Sequence, residues 1–273
     1  MRKKLNKKKK SRSLRTLVFY GVIVFSVILT ALLIRVFAIV KESKFDGQHQ
    51  FTLSVGRETQ VLAIISFEPI TSTLSMLSFS KDQHVSFSSL NREMGIMPDG
   101  YIKMRDDLKI TGNVSSLLQS LIFHWNNADT NITLYDIFQL WLYTHKIPSS
   151  TVYSQKISNL SDTESIDKIL ALRFTDNALA AENLSIQIVN GSGGSGLGFR
   201  LARAISNLGG NVVSVRTASV MEQASKIQYN DPQTHTFQKL KSLLHYQQEK
   251  LKNKTIAEIV IIIGKDNTNT KRF

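Results

Sequence analysis

The feature that most constrains this chain is an uncharged apolar run of 19 residues, TLVFYGVIVFSVILTALLI, at positions 16–34. As an α-helix with a rise of ~1.5 Å per residue, the run spans roughly 28 Å, close to the thickness of the hydrocarbon core of a bilayer. We therefore predict a transmembrane helix over residues 16–40, with the lipid bilayer as its partner. A cleaved signal peptide is the alternative. It would need a shorter apolar region, and Val36-Phe37-Ala38 is a poor small-x-small cleavage site.

A block of nine Lys and Arg residues without any acidic residue precedes the apolar run, within residues 1–15. The block supplies much of the formal net charge of +13, and the rest of the chain is close to balanced. A basic block beside an apolar span is typical of a membrane-topology signal, so we expect no nucleic-acid partner. The positive-inside rule predicts a single-pass protein of the cell membrane, with a cytoplasmic tail at 1–15 and an extracytoplasmic chain beyond the helix.

The remaining chain has a globular composition, with 42% hydrophobic and 20% charged residues, and it contains no cysteine. Disulfides are therefore excluded, and stability must come from packed cores. The predicted fold class is α/β, with two small extracytoplasmic α/β units after the helix. The predicted segments after the helix are a linker at 41–50, a first unit at 51–145, a second linker with a short helix at 146–181, a second unit at 182–266 and a polar tail at 267–273.

In the first unit, β-like segments are predicted at 51–56, 60–67 and 73–79. Apolar residues from Val114 to Trp125 recur at helical spacing and predict an amphipathic helix. A second helix is predicted to begin at the N-cap candidate Thr133 and to end before Pro148. The Ser- and Thr-rich segment 146–163 is interpreted as a polar connection.

The second unit has the pattern of a β-α-β-β-α-β sandwich. Its predicted strands are 185–189, 212–215, an edge strand at 226–229, and 259–263; its predicted helices are 197–208 and 236–251. The first helix places Leu197, Leu201 and Ile205 on one face, which is typical of packing on a sheet.

A glycine-rich turn, NGSGGSG, joins the first strand and first helix of this unit. The turn residues are Asn190, Gly191, Gly193 and Gly196. The three glycines match the G-x-G-x-x-G spacing of a dinucleotide-binding turn. A Rossmann fold needs an acid about 20 residues further on, but here Arg216 follows the second strand and the first acid is Glu222. We interpret the turn as structural and expect no bound cofactor; a nucleotide-binding oxidoreductase is the remote alternative.

The same residues carry a resemblance to a known family. The segment ENLSIQIVNGSG at 182–193, the Gly-Leu pair that opens the helix and the later strands near 225–229 and 261–266 resemble the C-terminal domain of LytR-type cell-envelope proteins. The resemblance implies an extracytoplasmic accessory domain of the bacterial envelope, and no catalytic residues come with it.

A second resemblance lies upstream. Residues 60–82 and the stretch GIMPDGY at 95–101 resemble parts of the LytR-CpsA-Psr catalytic domain, whose members transfer glycopolymers from polyprenyl-diphosphate carriers to peptidoglycan. Where that family has a metal-binding Asp this chain has Gln60, and where it has Pro-Arg-Asp this chain has Ser80-Lys81-Asp82. Lys lacks the bidentate fork of Arg, and Gln removes an anionic ligand of Mg²⁺. This unit is therefore interpreted as a truncated, degenerate relative of the catalytic domain.

Together these features favour a non-catalytic interaction or organising module of the bacterial cell wall. Its expected partners are peptidoglycan, an envelope glycopolymer or another envelope protein. The alternative is a divergent polyprenyl-diphosphate-glycan:peptidoglycan transferase. In that case Lys81 and Asp82 are the catalytic candidates, Asp82 is the candidate metal ligand, and Mg²⁺ is the cofactor.

Overall fold

The computed structural model describes residues 2–80, 83–105, 113–252 and 255–269. It divides into two compact units, Met1–Ser43 and Lys44–Phe273. The first contains a helix and the second contains two sheets with their helices. The predicted α/β fold class with one N-terminal apolar helix is confirmed.

The first unit is the helix α1, Arg2–Lys41. Its segment Thr16–Lys41 contains an 18-residue stretch with a mean hydropathy of 2.8, and its apolar side chains are exposed. A helical backbone satisfies its own polar groups, so such a segment suits a hydrocarbon environment. The prediction of a helix long and apolar enough to span a membrane is confirmed.

The second unit begins with a six-stranded mixed sheet in the order β5-β4-β1-β2-β3-β6. Its strands are β1 Phe51–Arg57, β2 Gln60–Glu68, β3 Thr73–Phe79, β4 Gly100–Met104, β5 Ala128–Thr130 and β6 Val152–Ile157. The pairs β1–β2 and β2–β3 are antiparallel, whereas β4 and β6 pair in parallel with β1 and β3. The three strands predicted from sequence form the centre of this sheet.

Helices cover both faces of the first sheet, because its central strands are apolar on both sides. On one face, Ala63, Ile65 and Phe67 of β2 pack against α3, Val114–Phe123, and α4, Leu134–Thr144. On the other face, a second core contains residues of α2, Leu90–Met94, and α5, Thr163–Arg173.

The sequence marks where two of these helices begin. Asn113 caps α3 by accepting hydrogen bonds from two backbone N–H groups. Thr133 and Asp136 form a reciprocal capping box on α4, so the predicted N-cap at Thr133 is confirmed.

The second sheet follows the short helix α6, Asn177–Glu182, and has the order β10-β9-β11-β7-β8. Its strands are β7 Ser185–Asn190, β8 Asn211–Thr217, β9 Lys226–Tyr229, β10 Gln247–Lys250 and β11 Ile259–Ile263. Helices α7, Leu197–Asn207, and α8, His235–Leu244, share one apolar core with it. A short helix α9, Asp266–Asn269, closes the described chain.

Three expectations differ from the structure. The helix expected over 236–251 ends at Leu244, because His245 adopts a left-handed conformation with φ 55° and the chain continues into β10. The edge strand expected at 226–229 is therefore interior, since β10 pairs with it. The segment 146–181, expected as a linker with a short helix, contains that helix as α5 and in addition the strand β6 and the helix α6. The edge strand β6 is half polar and contains no long apolar run, so the sequence pattern does not predict it.

Candidate functional site

The glycine turn follows β7 at the edge of the sheet where β7 and β8 end. The Asn190 side chain accepts hydrogen bonds from the Ser192 amide and hydroxyl and donates to the Gly194 carbonyl at 2.7 Å. The Ser192 hydroxyl in turn accepts from the Gly194 amide at 3.1 Å. The turn's own side chains thus occupy two of the amides that a phosphate-binding loop would direct at its ligand.

The glycines of the turn serve two geometric requirements. Gly193 and Gly196 have φ values of 81° and 76°, a left-handed conformation that side chains with a Cβ rarely adopt. At Gly191 a Cβ would approach Glu222 Cγ to 2.9 Å, so the chain passes too close for a side chain. Gly196 also stands at the N-cap of α7 without a capping side chain. The turn is therefore defined by its backbone conformation.

Beside the turn lies a cleft of about 400 Å³, at the carboxyl ends of two parallel strands and the N-terminus of α7. We call it the glycine-turn cleft. Its walls include the exposed Phe199, 73% accessible, and the exposed Arg216. The Met221 side chain, also exposed, covers Gly193. In α/β sheets this edge of parallel strands is where ligands bind, and here it offers an aromatic face, a cation and the positive end of a helix.

The upstream resemblance singled out Gln60, Lys81 and Asp82. Gln60 begins β2, and its side-chain nitrogen donates to the Gln83 carbonyl at 2.8 Å. Lys81 and Asp82 lie outside the described residues. Within the described ranges, no group of three or more His, Asp or Glu side chains is placed to hold a metal ion.

A buried charged network joins the two sheets within the second unit. The Lys239 ammonium, on α8, donates to the Gln50 carbonyl at 2.7 Å and lies 2.9 Å from Asp99 and 3.6 Å from Asp176. Lys239 is 6% exposed and Asp176 is fully buried. We call these residues, with His235, the Lys239 network.

Two imidazoles continue the network toward solvent. His235 Nε2 lies 2.8 Å from Asp176, and its ring stacks on that of His49 with centroids 4.1 Å apart. His49 in turn contacts Asp46. Glu182 accepts hydrogen bonds from the backbone N–H groups of His235 and Thr236 at the N-terminus of α8. The contacts made by His235 and Thr236 hold α8 against segments that lie far from it in sequence.

The network shifts the pKa values of its acids. Burial acts to raise the pKa of Asp176, but the His235 hydrogen bond and the positive charge of Lys239 outweigh it, so the pKa lies below its usual value. At Glu182 the Thr236 hydroxyl and the α8 amides outweigh desolvation in the same way and lower its pKa. The buried Glu68 differs: desolvation raises its pKa above the ordinary value.

Sequence inspection did not identify the Lys239 network. Lys239 lies on a predicted helix among other lysines, and nothing nearby indicates that it is buried. The sequence pointed to one member of the network only. Asp99 lies in the stretch GIMPDGY, which carried the upstream resemblance.

Comparison with known proteins places the second sheet in a family. Residues 183–266 match the family model described as "LytR cell envelope-related transcriptional attenuator". The protein contains a LytR C-terminal domain. This confirms the resemblance seen around the glycine turn and associates the domain with the cell envelope.

A solved structure, described as the transcriptional regulator yvhJ from Bacillus subtilis, shares 11% sequence identity with this chain. It aligns over 46% of this chain and 97% of that chain with a TM-score of 0.36, too low to support a structural argument. No curated protein matches the sequence.

Proposed function

We propose that the protein is a membrane-anchored, extracytoplasmic module of the bacterial envelope that binds peptidoglycan or an envelope glycopolymer and catalyses no transfer. The observation that carries this proposal is the glycine-turn cleft within the LytR C-terminal domain. Its aromatic and cationic walls suit a polymer that presents both apolar sugar faces and negative charge. The helix α1 supplies the anchor.

Placement outside the cytoplasm rests on the nine basic residues before the apolar span. A reporter enzyme that is active only outside the cytoplasm, fused at Phe273, should therefore be active. Activity solely of a cytoplasm-dependent reporter would reverse the orientation and remove envelope polymers from the possible partners.

Binding is tested by retention of the full-length protein, in detergent, on isolated peptidoglycan or glycopolymer. Phe199→Ser and Arg216→Ala should each reduce retention severalfold, because they remove the aromatic face and the cation of the glycine-turn cleft. Matched controls are Leu172→Ser and Arg92→Ala, which change an equally exposed apolar residue and an exposed cation outside the cleft lining. Equal effects of the cleft and control variants would contradict the proposal.

Absence of transferase activity follows from the chemistry of the upstream unit. A diphosphate needs offsetting positive charge, and Gln60 and Lys81 replace an anionic metal ligand and a bidentate donor. The full-length protein should therefore not release polyprenyl phosphate from a lipid-linked glycan. Mg²⁺-dependent release that is lost in Asp82→Ala would establish the transferase instead.

A further inference from the structure

Helix α4 is apolar on both of its long faces. On its inner face, Ile137 and Leu140 are fully buried in the core of the first sheet. On its outer face, Leu134, Phe138 and Leu142 recur every four residues and are 42%, 44% and 41% exposed. We call these three residues the α4 stripe. A surface helix is normally polar where it faces water, whereas a helix that is apolar all round is typical of a protein interior or a membrane. The stripe therefore indicates contact with an apolar partner.

Aromatic rings enlarge this apolar surface. The half-buried Trp141 contacts the ring of Phe138, with centroids 5.9 Å apart. Phe123, the last residue of α3, is 76% exposed. Helices α3 and α4 pack side by side, so these rings belong to one helical layer of the first sheet. Exposed apolar patches of this kind mark contacts with proteins or membranes.

The same layer lacks surface charge. Helix α3 contains no charged residue, and the single charged residue of α4, Asp136, is fully buried. Helix α5 lies on the other face of the same sheet, and its 11 residues include Glu164, Asp167, Lys168 and Arg173. Charged side chains are costly in an apolar environment but are usual on a surface that faces water. The two layers of one sheet therefore differ as expected if only the α3–α4 layer faces an apolar medium.

The start of α4 is held close to the end of the membrane-spanning helix along the chain. The backbone N–H groups of Lys44 and Phe45 donate to Asp136 Oδ1, in the first turn of α4, at 2.8 and 2.9 Å. Lys44 is three residues beyond Lys41, where α1 ends. Three residues span at most ~11 Å. Chain connectivity therefore keeps the N-terminus of α4 within reach of the membrane surface at which α1 emerges.

Basic residues lie at both ends of the α4 stripe. Lys44 is bonded through its backbone to the first turn of α4, and Lys146 follows Thr144, the last residue of the helix, by two positions. Both lysines are exposed. A lysine beside an apolar helix face packs its aliphatic stem on apolar surface while its ammonium remains among anionic headgroups. The stripe and its flanks thus have the chemistry of a helix at a membrane interface.

We propose that the α4 stripe binds the surface of the bilayer, with its three side chains at the boundary between headgroups and acyl chains. The bilayer is favoured over a second copy of the chain or another protein, because the chain itself keeps the bilayer beside α4. The absence of charge between the two flanking lysines agrees with this choice. The inference rests on the membrane anchor of the proposed function and adds a second membrane contact, made by the folded unit itself.

The test uses the full-length protein at one copy per nanodisc, in a mixture of anionic and neutral phospholipids. Because the chain contains no cysteine, Leu142→Cys, Leu172→Cys and Leu29→Cys each provide one site for a nitroxide label. Leu142 lies on the stripe, Leu172 is an exposed leucine of α5, and Leu29 lies inside the apolar run. Electron paramagnetic resonance then compares relaxation by oxygen, which concentrates in lipid, with relaxation by a nickel chelate, which stays in water.

We expect the label at position 142 to favour oxygen, as the label at 29 does, and to be relaxed by nickel about fivefold less than the label at 172. Adding Leu134→Glu to the chain labelled at 142 should raise its nickel accessibility about threefold, because a charge then lies on the stripe. Residue 134 is the first of α4, where an acid is favourable to the helix, so the fold is retained. The matched control Leu172→Glu should leave the label at 142 unchanged.

Three outcomes would overturn the inference: equal nickel accessibility at 142 and 172, a label at 142 shielded from both reagents, or no change in Leu134→Glu. Shielding from both reagents would show that protein covers the stripe. Any of these results with an oxygen-favoured label at 29 leaves the anchor of the proposed function intact. A label at 29 that favours nickel would reject the anchor itself, and with it both proposals.

Discussion

The glycine turn and the Lys239 network are held together over different distances along the chain. The turn is closed by hydrogen bonds among Asn190, Ser192 and Gly194, all within four residues. In the network, Lys239 binds Gln50 across 189 positions. The turn is set by local backbone conformation, whereas the network exists only when α8 docks against the first sheet.

This difference assigns the two regions separate roles. The glycine turn shapes a cleft at the surface. Because the turn is local, a substitution in it should lower the free energy of unfolding only modestly. A buried network of charges is sensitive to the loss of any member, because each remaining charge stays desolvated. The predictions that follow test this contrast, beginning with the largest expected effect.

Replacing Lys239 by Met should lower the free energy of unfolding by about 3–5 kcal/mol, since Asp99 and Asp176 then remain buried without their cation. Chemical denaturation of the full-length protein measures this loss. The control is Lys168→Met, which breaks an exposed pair with Glu164 and should cost about 0–0.5 kcal/mol. Similar losses in both variants would show that the network contributes no more than a surface ion pair.

Acidification should weaken the same network. The pKa of Asp176 is lowered in the folded state, so its contribution is present above the unfolded pKa of about 3.9 and is lost as pH falls through the folded value. The free energy of unfolding should therefore fall below about pH 4, and Asp176→Asn should flatten that fall.

The buried Glu68 supplies the opposite control. Its pKa is raised in the folded state, so protonation of its carboxyl favours the fold as pH decreases. Glu68→Gln should remove this compensation and make the loss of stability in acid steeper. A pH profile identical in the wild type, Asp176→Asn and Glu68→Gln would contradict both assignments.

The glycine turn should show the smallest effect. Gly196→Val places a β-branched residue at φ 76°, where its Cβ would make an ordinary contact of 3.8 Å with Arg200 Nη1, so the cost is conformational strain of about 1–2 kcal/mol. Gly193→Val should behave similarly. The control is Ser195→Val, at an exposed neighbouring position with no positive φ. Thermal melts should rank both glycine variants below this control, and saturable NAD(P) binding to the wild type would contradict a structural role for the turn.

The sequence by itself determined those features whose causes are local. An uncharged apolar run of this length is expected to form a helix, and α1 contains it. The observed bounds of β3 and β11 agree with the predicted ones. The N-cap at Thr133 and the resemblance around the glycine turn were equally visible, because caps and left-handed turns depend on the chemistry of adjacent residues.

Only the tertiary structure decided the edge strands and the buried polar groups. The strands β6 and β10 are polar, and each is a strand because a distant neighbour pairs with it. Lys239 and Asn91 look like surface residues in the sequence, but packing buries both. Lys239 is paired with Asp99, whereas the Asn91 side chain has no hydrogen-bond partner among the described residues. The physical reason is that burial and pairing depend on groups brought together by folding, and those long-range contacts leave no local pattern in the sequence.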